Sequence, residues 1–506
     1  MTNDCARPSF RADLHIHSRY SRATSPRLSP ALLAAWAGRK GLAVIGTGDF
    51  THPQWQEELA RTLVPDEESG LYRLRDPASP EAVLPEPPLP QSPPRGRPDP
   101  PFFLLQGEIS SIYKRGGKTR RVHNLVYMPH LEAARSFCRR LGAAGNLAAD
   151  GRPILGLDSR DLLEMVLETH PQAFLIPAHI WTPWFSLFGS KSGFDSLEEC
   201  FGDLAPRIFA LETGLSSDPA MNRLWSRLDG CRLVSNSDAH SGENLGREAN
   251  VFSGSPSYSG ILEALRNPAA PGPVRFLGTL EFYPEEGKYH LDGHRACNVR
   301  LSPEETRRLE GRCPVCGLPV TVGVLHRVME LADRTAPVYA AGEDSLGDNG
   351  FLSLAPLPEL LSEILGTGPK SRKVTDVYVR ALARFGSELG ILLDWDPAEL
   401  ARFLPPLGEA VARMRRGEVL LEGGYDGAYG RVTVFSDEER REIRRGAGVF
   451  SPGWGRSSAR NLSLLGETDQ PPRPEKPRPR PQLPPHPPGV LPEAGASGAP
   501  PPGPGR

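Results

Sequence analysis

The chain has 506 residues, 39% hydrophobic and 24% charged, a balance that predicts a globular protein of two to four domains with ample length for a core. Its net charge of −2 excludes a global electrostatic pull on nucleic acid, so any such contact must come from local basic patches. No apolar run reaches the roughly 18 residues of a membrane span, and "MTNDCARPSF" lacks the basic and apolar regions of a signal peptide, so a cytoplasmic protein without membrane contact is expected.

In chain order, "RADLHIHSRYSRATS" (11–25) places His15 and His17 one residue apart. On a strand, residues i and i+2 share a face, so the pair is a ready chelate; alone, it is also compatible with a chance pair on a wet strand. A helix is predicted over 29–41, with Pro30 at its first position and Gly41 at its C-cap. Buried strands are expected at 42–50, 102–110, 122–129, 173–180, 207–214 and 231–240. Alternating strands and helices imply a parallel sheet or (β/α) barrel over 10–280. The Pro-rich run 77–101 reads as an inserted surface loop. A Cys/His segment spans 281–335, and a mainly helical region spans 336–450, with a β-hairpin in "EVLLEGGYDGAYGRVTVF" (418–435). From 451 a Pro-rich tail is expected to be disordered, either an inert linker or an arm for a protein partner.

Polar residues gather at the ends of these strands: His15, His17, Asp49, His52, Glu108, His123, His179, Asp238 and His240. One such histidine is usually a satisfied core residue. Six with three carboxylates would be costly to bury unpaired, and two or three divalent cations satisfy them together. Mixed nitrogen and oxygen donors suit Zn, Mn or Fe, and Glu108 is the candidate bridge between ions. Paired ions are a recurring means of cutting phosphate esters.

The ordered motifs "DLHIHS", "GTGDFTH", "GEIS", "PAHI" and "SNSDAH" resemble the PHP (polymerase and histidinol phosphatase) phosphoesterases. The resemblance implies an α/β fold, a PHP-type distorted (β/α)7 barrel, with His15, His17, Glu108 and Asp238 on one ion and Glu108, His123 and His179 on a second. A third site would use His240 with the Asp49/His52 region. Here the chain departs from the family: "GDFTH" replaces the usual D-H pair, and "SRYSRAT" lacks a histidine often found there. Longer stretches, "PAHIWTPWFSLFGSKSGFDS", "SNSDAHSGENLGREAN" and "EEGKYHLDGHRACNV", are similar to the endonuclease Q family within that group, from about 10 to 450. That resemblance implies a nucleoid-associated repair enzyme using Zn, Mn or Mg. It would nick DNA 5′ to deaminated bases (uracil, hypoxanthine, xanthine) or abasic sites, with Asp238, Glu108 and His17 catalytic. The alternatives are a phosphatase for a small phosphomonoester and a non-catalytic DNA-binding accessory protein.

Cys297, Cys313 and Cys316, with His294, have the spacing of a structural zinc site; His290 and His326 rival His294 as fourth ligand. Lys114, Arg115, Lys118, Arg120 and Arg121 are expected on a Gly-bearing loop suited to backbone phosphates, or simply solvated. Trp181 and Trp184, in an aromatic stretch ending at Phe194, could stack on bases or pack the barrel mouth. "GGYDGAYG" resembles a segment of UvrD-type helicases, but no Walker A motif occurs, which excludes ATP-driven unwinding.

Overall fold

The computed structural model of the protein describes residues 8–77, 84, 99–267, 272–339, 346 and 350–446. Nearly all of the Pro-rich run, and the whole tail from 451, lie outside the described residues.

Seven strands follow one another around a ring: β1 (Ser9–Asp13), β2 (Val44–Gly46), β3 (Phe102–Arg115), β4 (Lys118–Met128), β5 (Phe174–Pro177), β6 (Ala210–Glu212) and β7 (Arg232–Val234). β1, β2 and β3 pair in parallel, as do β6 and β7. β4 runs antiparallel to both β3 and β5, so the sheet is mixed where sequence alternation implied a parallel one. The cause is local. Gly116 and Gly117 have φ of 60° and 72°, the left-handed pair that a two-residue hairpin turn requires. The basic stretch expected as a loop is therefore a long hairpin, with Lys114 paired to Thr119 across it.

Two junctions of the ring are held without a ladder. Ile180 N–H donates to Glu212 O at 3.0 Å between β5 and β6. An isolated Ile16–Ala239 bridge and Leu14 N–H to Asn236 Oδ1 at 2.7 Å join β7 to β1. Three further strands, β8 (Ala249–Ser253), β9 (Arg275–Glu281) and β10 (Phe351–Ser353), extend the sheet outward from β1.

The ring strands are apolar on both faces, as strands covered on both sides must be. Val44, Leu104, Leu125, Ile176 and Val234 fall in one buried cluster, and their neighbours Ile45, Phe103, Leu105, Val126, Leu175 and Leu233 in another. The predicted first helix is Pro30–Lys40, with the Ser29 hydroxyl accepting from Leu32 N–H. Its last residue joins the C-terminal helices. Lys40 Nζ lies 2.6 Å from Glu388 Oε2, both side chains 4% exposed. Glu388 also accepts from Leu357 N–H and the Tyr378 hydroxyl, so both oxygens of the buried carboxylate are bonded. The C-terminal region packs Leu357–Leu365, Arg372–Phe385, Pro397–Phe403 and Pro405–Arg415, then a hairpin of Leu420–Glu422 with Arg431–Thr433. Among the described residues no helix is long and apolar enough to cross a membrane.

Candidate metal centre

β1 ends at Asp13, and the chain continues extended through His15 and His17. The buried Asp13 carboxylate accepts from Ser237 N–H and Oγ–H and from Gly246 N–H, which clamps the segment carrying Asp238 against the one carrying the histidines. His15 Nδ1 lies 3.0 Å from Glu212 Oε1. That leaves Nε2, buried and without a hydrogen-bond partner, 3.6 Å from Glu108 Oε2 and 3.5 Å from Asp238 Oδ1. His17 is built alike: Nδ1 is 3.0 Å from Asp49 Oδ1, while Nε2 is 2.9 Å from Asp238 Oδ1 and 3.2 Å from Glu108 Oε2. On the other side Glu108 Oε1 meets His123 Nδ1 at 2.7 Å and His179 Nε2 at 3.3 Å.

Two groups that could each hold a metal ion result, with their donor atoms within 4.8 Å of one another: His15, His17, Glu108 and Asp238, and Glu108, His123 and His179. Glu108 belongs to both. Asp49, His179 and Asp238 have φ of 45°, 30° and 47°. Non-glycine residues reach that region at a cost of about 1–3 kcal/mol each, sustained by the surrounding bonds.

The electrostatics follow from crowding charge in a buried site. Burial opposes the charged form of His15 and His17, but Glu212 and Asp238 beside the first and Asp49 beside the second outweigh it and hold both well above the usual histidine range. Burial also opposes ionisation of Glu108, yet His123 and Arg152 keep it well below the usual carboxylate range. For His123 burial prevails and pushes it down to about 4. Metal binding would displace the protons held on His15 and His17.

Asp49, His52 and His240, expected around a third ion, are not brought into one set. Both Asp49 oxygens are engaged, one by His17 and the other by Ser18 N–H, Ser18 Oγ–H and Ser21 Oγ–H. His52 stacks on Tyr20 at 4.3 Å, and His240 lies over His17 at 4.4 Å with Nδ1 on the Asp238 backbone oxygen. Asp49 is thus the residue that orients His17.

His294, Cys297, Cys313 and Cys316 form a second, separate donor set. The rivals for its fourth position are elsewhere: His326 Nδ1 lies 2.5 Å from Asp292 Oδ2, and His290 is buried with Nδ1 unpartnered.

The expected DNA-facing residues divide by exposure. Trp181 is 1% exposed, packs on Phe188 and Trp225, and donates to Asn222 Oδ1 at 2.7 Å. It is a core residue, a correction to its reading as a DNA contact. Trp184 is 37% exposed and meets Tyr289 edge-on. Arg115 and Arg120 turn back onto backbone carbonyls, and Arg120 and Arg121 lie over the Phe194 and Phe185 rings. Lys114 and Lys118 are exposed on the hairpin. A cavity of about 1130 Å³ opens between these donor groups and the C-terminal region, lined by His179, Trp184, Asp238, Tyr289, Tyr429 and Arg431 among others.

Sequence reasoning misses Glu212 and Arg152. Glu212 ends β6 as Glu108 lies on β3, and an acid at a strand end is the available signal. Arg152 stands in an irregular segment with no such signal, and only the fold brings its Nη1 to 3.0 Å from Glu108 Oε2.

Buried histidines and carboxylates converging from the strands of an α/β sheet and the segments that follow them define a metal-dependent hydrolase. Residues 356–418 match the family model described as the MJ0043 C-terminal domain. The chain is 29% identical over 261 residues to the uncharacterized protein MJ0043 of Methanocaldococcus jannaschii, a match covering 50% of this chain and 31% of that one. It thus spans about a third of that relative's length. A solved structure of endonuclease Q in complex with a 27-mer duplex carrying an abasic lesion at the active site is 30% identical, with a TM-score of 0.70, covering 85% of this chain and 98% of that one. The lesion-specific endonuclease of Pyrococcus furiosus is similar over the same shares, at 29% identity and a TM-score of 0.70. The chain belongs to the endonuclease Q family.

Proposed function

We propose that the protein is a lesion-specific DNA endonuclease that nicks the phosphodiester 5′ to a deaminated base (uracil, hypoxanthine or xanthine) or an abasic site. The observation that carries this reading is the pair of donor groups sharing Glu108, three of whose members, His123, His179 and Asp238, line a cavity of about 1130 Å³. The residues present fit divalent ions. His15 Nε2 is buried without a partner while its Nδ1 is held by Glu212, the arrangement of a ligand oriented by a carboxylate. Two ions held there would supply an activated water and polarise the phosphate.

The chain's own residues do the rest. Glu108 would tie the two positions together, and Asp238 would complete the first with His15 and His17. Trp184, half-exposed at the cavity wall, offers a face on which an unstacked base can rest. Lys114 and Lys118 on the hairpin offer charge to the strand's phosphates. A deaminated base carries a carbonyl where its parent has an amino group, so a fixed donor in the cavity would favour the first by about 1–3 kcal/mol over the second. The Cys3His set would hold a structural zinc.

The test is cleavage of end-labelled duplexes carrying one uracil, hypoxanthine or abasic site, with and without chelator. A single nick 5′ to the lesion that chelator abolishes is expected. Equal cutting of the undamaged duplex, or release of free uracil, would return the protein to the general phosphoesterases.

A further inference from the structure

The two donor groups are not the whole of the site. Among the described residues, Arg152 is the one arginine or lysine ion-paired to a member of either group, through Nη1 on Glu108 Oε2 at 3.0 Å. A single bond to Glu108 engages one of the five donors a guanidinium carries. No other side-chain acceptor is within hydrogen-bond distance of Arg152 among the described residues. Its side chain is 26% exposed while Glu108 is fully buried, so the guanidinium stands on the solvent side of that carboxylate.

The backbone beneath it is pinned. Gly151 N–H donates to Tyr20 O at 2.9 Å, and Arg152 N–H donates to Asp150 Oδ1 at 3.1 Å. A Cβ on Gly151 would collide with Asp49 Oδ2 and Ser21 Oγ. The segment therefore seats directly on the loop that carries His17, at a distance only glycine permits. The same Asp49 carboxylate orients His17, so the histidine and the arginine share one support.

We infer that Arg152 is a catalytic residue whose free guanidinium donors grip a non-bridging oxygen of the phosphate being cut, while Nη1 stays on Glu108. Attack on a phosphodiester adds negative charge to the non-bridging oxygens, and a fixed planar cation at that point stabilises the transition state more than the ground state. The pair with Glu108 serves a second end: it holds the arginine in place before substrate arrives, so little reorganisation remains for the reaction itself. The inference rests on the hydrolytic reading of the site.

The test compares wild type with Arg152→Ala and Arg152→Lys on lesion duplex and on bis(4-nitrophenyl) phosphate, a diester with no base to recognise. Arg152→Ala is expected to lose about a hundredfold or more in kcat on both substrates. Metal content by mass spectrometry and the melting temperature should hold. Free guanidinium should restore part of the activity of Arg152→Ala, and Arg152→Lys should recover only a fraction, since a point charge lacks the fork. Calorimetric titration of the metal-loaded protein with inorganic phosphate should show affinity about tenfold weaker in Arg152→Ala. Undiminished kcat would remove Arg152 from the chemistry. Loss of metal in step with activity would reduce it to a support for Glu108; either result overturns the inference. A wild type that hydrolyses the small diester yet leaves lesion DNA whole would sink the endonuclease reading while leaving Arg152 fully tested.

Discussion

Glu212 sits behind His15, its Oε1 3.0 Å and Oε2 3.1 Å from Nδ1, so that the opposite nitrogen of the ring faces Glu108 and Asp238. The same carboxylate accepts from Asn236 Nδ2–H and from the His179 backbone N–H, which ties ligands of both groups to one anchor. Glu212→Gln should therefore weaken metal binding by about 10–100-fold without removing a ligand. Activity lost at limiting metal should return when metal is added in excess. A variant that binds metal as tightly as wild type would show that Glu212 does not orient His15.

Cys313→Ser should release about one equivalent of zinc and lower thermal stability, leaving the ions of the ring in place. The two donor sets share no residue, and the small apolar cluster of Leu301, Cys313 and Val320 offers little core to hold the segment without a metal. Metal analysis of the purified variant checks it: unchanged zinc would refute the site.

The two tryptophans should separate cleanly. Trp181→Ala removes a buried ring and strands Asn222, so a stability loss of about 3–5 kcal/mol is expected by denaturant unfolding. Trp184→Ala should change stability little and instead weaken lesion-DNA affinity by about 1–3 kcal/mol, the worth of one stacked base. Fluorescence anisotropy in chelator measures that binding without cleavage. Equal affinity in Trp184→Ala would take the cavity rim out of recognition.

Stability should fall as pH rises through neutrality. Glu281 is fully buried, and burial together with the nearby Asp218 charge pushes its carboxyl up to about 8, against the bonds it accepts from Thr279, Ser235 and Thr213. Between its ordinary value of 4.5 and about 8 the folded state binds the extra proton, so folding weakens across that window and the contribution is gone above it. Glu281→Gln should flatten the decline in melting temperature from pH 5 to pH 8. An identical slope in the variant would show that Glu281 ionises freely in the fold.

The neighbouring donors His15 and His17, the candidate acids Glu108 and Asp238, and the Cys297/Cys313/Cys316 spacing can be read in the amino-acid sequence, because period and short spacing along a strand or knuckle place donors locally. The hairpin is harder to see. "RGGK" spells its turn, but the basic residues around it suit a solvated loop equally well, and the left-handed backbone of the two glycines is what reverses the chain. Which donors share an ion, which tryptophan faces solvent, and which arginine reaches Glu108 depend on contacts between residues far apart in the chain. Asp49 illustrates the difference: its position at a strand end is evident from the sequence, but that its two oxygens meet Ser18, Ser21 and His17 is a matter of the fold. Those partners lie on a different stretch of the chain, and no local period or spacing brings such residues together; the tertiary structure does.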